Sequence, residues 1–224
     1  MAIKKPIDAR PLVSIVTPSY NSEKYIAETI ASVQQQTVTD WELLIVDDAS
    51  SDATVTKIKR LQAEDSRIKC FSLKENKGPA HARNLGIQKA RGKYLTFLDA
   101  DDLWFPEFLE RSSTEAKMHP FVFASYKRLD ENLEPYLSDF IVPEKVSYTD
   151  ILKSNSISCL TAFLDIEVLG KKYMPLIKKR QDMGLWLQYL KKTNYAYGIQ
   201  EPLAIYRIRR DSLSRNKTGL IKHQ

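Results

Sequence analysis

The triplet Asp99-Ala100-Asp101 closes an apolar run, YLTFL, and stands just before an aromatic-proline segment, LWFP. In extended backbone, residues i and i+2 project from the same side, so both carboxylates would face one point. Two hard oxygen ligands so placed suit Mg2+ or Mn2+, ions commonly held by one or two carboxylates plus substrate phosphates. A lone D-x-D is also an ordinary acidic turn, and its weight here comes from its company. Asp47 and Asp48 end a second apolar run, and Thr17-Pro18-Ser19-Tyr20-Asn21 ends a third. With Asp102, five carboxylates would gather on one edge and repel one another unless a cation or ligand compensates them.

Two further groups could take part. Pro79 suits the first position of a helix. Gly78 before it would let backbone approach a ligand, and the positive helix end would face an anion. Arg83, about one turn in, could pair with a phosphate or with the strand-end acids. Asp182 opens an apolar helical segment, and helical spacing puts Trp186 and Tyr189 on its side. A carboxylate beside aromatic rings can serve as a general base next to a stacking surface. An Asp at this position is equally the N-cap of an ordinary helix.

The elements that must position these groups alternate. Residues 12–17, 42–46, 68–73 and 94–98 read as short strands. Helices are expected from an N-cap at Ser22, after Ser51 and from Pro79. This rhythm predicts a single α/β Rossmann-like domain, a mostly parallel sheet flanked by helices that binds ligands at its C-terminal strand ends. Later, 106–119 and 182–192 read as helices, and 121–129, 157–164 and 204–208 as strands. Residues 130–148 read as a long polar loop. The expected division is a leader at 1–10, a domain at 11–206 with a nucleotide-binding half (11–128) and a second half (129–206), and a basic segment at 207–224.

Composition sets outer limits. In 224 residues, 43% are apolar and 28% charged, the balance of a globular chain. No apolar run approaches the ~20 residues of a membrane span. Two cysteines and three histidines show no metal-site spacing. A reduced, cytoplasmic protein is expected. The net charge of +6 is uneven: from Lys171 onward 13 basic residues face 3 acidic ones. That end would suit a diphosphate or an anionic membrane surface. Without aromatic interleaving or a known motif, the basic segment gives no support for nucleic-acid binding.

VSIVTPSYN, a helix ending in QQQT, WELLIVDDASSD, ENKGPAHARNLGI, ARGKYLTFLDADD and RQDMGLWL occur in this order. Together they resemble family 2 glycosyltransferases, inverting enzymes of the GT-A fold, over about residues 11–217. The likeness is nearest to bacterial members that build O-antigen, capsule or teichuronic acid. The resemblance implies that Thr17, Pro18 and Tyr20 surround a nucleotide base, with Asp48 accepting from it. Uracil offers an N3–H to such an acceptor, as does guanine, so a UDP-sugar is favoured over GDP without excluding it. By the same resemblance Gly78 and Arg83 serve the donor, Asp99 and Asp101 the ribose and a divalent cation, and Asp182 is the general base. A glycan or lipid-linked hydroxyl would be the acceptor.

Two positions depart from the family pattern. Gln181 stands where many relatives have Glu, and Arg209 where many have a metal-binding His. Arg207 and Arg209 could instead hold the diphosphate, and Trp186 could meet the acceptor. The distal basic residues could rest peripherally on the inner face of the membrane. A catalytically silent subunit of the same fold, or a nucleotidyltransferase, is the competing reading. The latter would be expected to carry a Gly-rich loop after the first strand, and TPSYNS contains no glycine.

Overall fold

The computed structural model describes residues 10–209. Four strands, β1 (Val13–Ser19), β2 (Trp41–Asp47), β3 (Ile68–Ser72) and β4 (Tyr94–Phe97), form the parallel front of one sheet. They are joined by α1 (Ile26–Gln34), α2 (Thr54–Glu64) and α3 (Pro79–Lys89). Strands buried on both faces explain the continuous apolar runs. Val13, Ile15, Leu43 and Ile45 meet Ile26 and Ile30 of α1 on one face, while Val16, Leu44 and Phe97 meet Ala80 and Ile87 of α3 on the other.

Beyond β4 the sheet becomes mixed. It continues through β5 (Leu103–Trp104), β6 (Phe121–Asp130), β7 (Pro135–Phe140), β8 (Lys145–Val146), β9 (Phe163–Asp165) and β10 (Ala196–Ile208). The main path runs β3-β2-β1-β4-β9-β6-β10-β5, with β7 on β6 and β8 on β10. Antiparallel β9 separates β4 from β6, so the expected parallel order holds only for the front strands and for the β6–β10 pair. Helices α4 (Phe108–Glu115), α5 (Tyr148–Lys153), α6 (Ile166–Leu169) and α7 (Gln181–Leu190) cover this part.

Several local expectations are corrected. Ser22 does not cap α1: its hydroxyl donates to the Tyr20 carbonyl, its own carbonyl takes the first turn's amides, and the helix begins at Ile26. The 130–148 segment is not a loop, since it holds β7 and β8. The 157–164 run is broken by a 3-10 turn at Cys159–Thr161. β10 starts eight residues before the expected 204 and passes Pro202 by a register shift, which hid it. It also extends through Ile208, so Arg207 belongs to the sheet. Cys70 and Cys159 are both free thiols.

A polar cluster fastens the opposite end of β1 and β2. Glu42, almost wholly buried, accepts from Ser14 Oγ at 2.7 Å, the Arg91 amide at 2.8 Å and Lys69 Nζ at 3.0 Å. Burial alone would raise its pKa, but these donors outweigh burial and hold it below the usual carboxylate value. A depressed folded pKa stabilises above the unfolded value, and that contribution is lost as pH falls through the folded pKa. Glu42→Gln should therefore cost about 1–3 kcal/mol at pH 7. In melting curves the gap between variant and wild type should close on acidification below pH ~4; a pH-independent gap would refute the ionic account.

Candidate active site

The C-terminal ends of β1, β2 and β4 open into a cleft of about 700 Å³. It is lined by Pro18, Ser19 and Tyr20 after β1, by Asp48 and Gly78, and by Arg83, Asp99 and Asp101. Tyr20 is half exposed, a ring free to stack on a planar ligand. Ser19 is buried and its hydroxyl has no partner, an orphan donor against the cleft. Thr17 lies behind Pro18, buried, and does not line the cleft.

Asp48 does structural work first. Its two oxygens accept the amides of Lys77 (2.8 Å) and Gly78 (2.7 Å), which fixes the turn into α3. Gly78 caps that helix at φ 87°, a conformation that L side chains rarely adopt. A Cβ there would meet nothing within 4 Å, so dihedral strain, not crowding, calls for glycine. The carboxylate keeps lone pairs for a ligand donor.

The acidic loop after β4 is met by three arginines. Arg83 Nη2 donates to Asp99 Oδ1 at 2.5 Å. Burial would lower the Arg83 pKa, but the neighbouring Asp99 more than restores it, so the cation is secure. Arg209 Nε lies 2.7 Å from Asp101 Oδ2. Arg207 is different. Its side chain is 2% exposed and is consumed by the Asp101 carbonyl (2.9 Å), the Glu131 carbonyl (3.2 Å) and Glu28, while its amide donates to Asp102 at 2.8 Å. Arg207 lines the cleft, as expected of a diphosphate ligand, but its donors are engaged in anchoring the acidic loop to β10. Tyr25, whose ring lies under both Arg207 and Arg209, and Glu28 carried no sequence signal of this role.

Burial lifts Asp101 above the usual carboxylate pKa, Arg209 offsets it, and Asp99 adds to it. Asp102, wholly buried, is pushed up further by burial and by both neighbouring acids. Among the described residues no three His, Cys, Asp or Glu side chains are grouped to hold a metal. The candidate donors are Asp99 and Asp101, which repel each other and are each paired with an arginine. They fit Mg2+ or Mn2+, which complete their shells with water and phosphate oxygens.

Asp182 stands apart from the cleft lining, in the first turn of α7, accepting from Asn155 Nδ2 at 3.2 Å. It is near enough to act electrostatically on Arg83. It is not an N-cap, because Arg180 holds that place with no side-chain cap. Trp186 and Tyr189 are not a sugar platform. Both are fully buried, Trp186 donating to the Ile157 carbonyl and Tyr189 accepting from the Lys172 amide. The acceptor contact expected of Trp186 is therefore corrected: the helical face shared with Asp182 is core.

A parallel sheet whose strand ends bring a stacking aromatic, a glycine-capped helix and a D-x-D loop to one cleft is the architecture of a GT-A glycosyltransferase. Comparison with known proteins agrees. The glycosyl transferase family 2 model matches residues 14–160, and the chain belongs to that family. It is 43% identical over 212 residues to TuaG of Bacillus subtilis, named for teichuronic acid biosynthesis, covering 93% of this chain and 83% of that one. It is 38% identical to the Escherichia coli UDP-Glc:alpha-D-GlcNAc-diphosphoundecaprenol beta-1,3-glucosyltransferase WfgD, covering 95% and 83%. The Staphylococcus aureus TarS structure with UDP-GlcNAc shares the fold at a TM-score of 0.74 and 23% identity, over 89% of this chain and 59% of that one. A mannosyltransferase from Pyrobaculum calidifontis, in complex with GDP-Man and Mn2+, superposes at 0.71 with 20% identity, over 93% and 62%. The chain thus spans about 60% of those two solved chains.

Proposed function

We propose that this glycosyltransferase moves a hexose-type sugar from a UDP-sugar, with inversion, to a hydroxyl of a glycan or lipid-linked acceptor in surface-polysaccharide synthesis. The observation that carries the reading is the cleft that joins Tyr20 and Asp48 to the Asp99–Asp101 pair. The name of WfgD supports a UDP-sugar donor and a lipid-linked acceptor, and that of TuaG a role in surface-polysaccharide synthesis. No helix among the described residues is long and apolar enough to cross a membrane. The division into a nucleotide-binding half (11–128) and an acceptor half (129–206) belongs to this proposal.

In this reading Tyr20 stacks on the base and Asp48 accepts its N–H. Asp99 and Asp101 hold the divalent cation. That ion neutralises charge on the departing diphosphate. Arg209, 2.7 Å from Asp101, would be the cation freed to pair with the diphosphate if Asp101 held the metal. Asp182 takes the proton of the acceptor hydroxyl. The distal residues of the basic segment lie outside the described residues.

A panel of UDP- and GDP-sugars, assayed for nucleotide release with and without Mn2+, tests the reading. Titration calorimetry should show Asp101→Asn weakening Mn2+-dependent UDP binding by about 1–3 kcal/mol. Unchanged affinity in both conditions would remove the metal from Asp101.

A further inference from the structure

Residues 171–180, KKYMPLIKKR, precede α7 without regular secondary structure. Tyr173, Leu176 and Ile177 are 46%, 62% and 49% exposed, an apolar cluster on a short span of chain. Five basic residues and no acid accompany them. Lys171 is bound to the Ala90 and Gln88 carbonyls, whereas Lys178, Lys179 and Arg180 are exposed, with no ion pair among the described residues.

Exposure here is not the sign of a loose segment. Met174 is buried and exchanges two hydrogen bonds with the Asn84 side chain, at 2.7 and 2.9 Å. Gln188 and Gln181 donate to the carbonyls of Tyr173 and Ile177. Pro175 lies so close over Gly184 that a Cβ there would approach it to 2.5 Å. A backbone held this firmly presents apolar side chains to solvent at a hydrophobic cost that a partner surface would remove. Side chains of this kind ringed by cations match an anionic bilayer, where apolar tips enter the acyl boundary and lysines meet headgroups.

We infer that the 171–180 loop is a peripheral membrane-docking surface for anionic lipid, set beside Asp182. The inference rests on the proposed function only for its purpose, which is to bring the first turn of α7 to a headgroup-linked acceptor. Binding itself needs neither donor nor acceptor, so it fails or stands separately from the enzymatic reading.

The test is co-sedimentation of the full chain with vesicles of phosphatidylcholine alone or with 40% phosphatidylglycerol. Wild type should pellet with the anionic vesicles only. Lys178→Gln/Lys179→Gln should lower partition by about twentyfold at low salt. Leu176→Ser/Ile177→Ser should lower it about tenfold or more, including at salt that screens the lysines. These side chains are exposed, and circular dichroism should show both variants folded. Absence of wild-type binding, or equal binding by wild type and both loop variants, would overturn the inference. So would a concentration-dependent dimer lost in Leu176→Ser/Ile177→Ser while vesicle binding stays unchanged, which would assign the loop to a second copy of the chain.

Discussion

Asp182→Asn is expected to lower kcat by about 10²–10⁴-fold while leaving UDP affinity near that of wild type. The carboxylate lies outside the cleft lining that would take the nucleotide, so donor binding should not report its loss. Its one described hydrogen bond is to Asn155, and it caps no helix. The amide isostere should therefore fold and melt like wild type. Single-turnover transfer to a soluble acceptor, measured beside UDP titration and thermal melting, separates the outcomes. A lower melting temperature with normal turnover would return Asp182 to a structural role.

Arg207→Met should have the largest effect on stability. The guanidinium is buried, and its removal strands the carbonyls of Asp101 and Glu131, each an acceptor that burial makes costly to leave bare. Glu28 is half exposed and returns to water, so its ion pair adds little. A loss of about 3 kcal/mol follows, or roughly 6–12 °C in melting temperature for a chain of this size. Arg209→Gln should melt close to wild type, because Arg209 is partly solvated and its partners are the Asp101 side chain and the face of Tyr25. If Arg207→Met melted normally and lost only nucleotide affinity, the diphosphate role read from sequence would be right after all.

That contrast shows where the sequence was readable. The front of the fold rests on apolar runs whose ends carry acids, and a parallel sheet turns chain order directly into the position of Asp48, Asp99 and Asp101. Arg207 and Arg209 sit two residues apart at a strand end, and nothing in their spacing tells which is swallowed by Glu28 and two carbonyls. Trp186 and Tyr189 were misread for a similar reason. A stripe beside an acid has the same 3.6-residue period whether it meets sugar or core, and Leu185 and Leu190 in the same helix were the better guide. β7 was illegible because it is an edge strand with both faces largely in solvent, leaving no alternation to see.

The Arg207 amide reaches Asp102 across 105 residues of chain. The acids emerge from the ribosome long before the strand that braces them. Loop-closure entropy must be met before that distant pairing contributes, and such pairings are slow to form. A nascent chain lacking β10 would carry every D-x-D carboxylate and could fix Asp99 through Arg83, yet would lack the partners of Asp101 and Asp102. The bracing of Asp102 and of the Asp101 carbonyl is therefore withheld until β10 has been made, and a product cut before β10 would own the motif without that support.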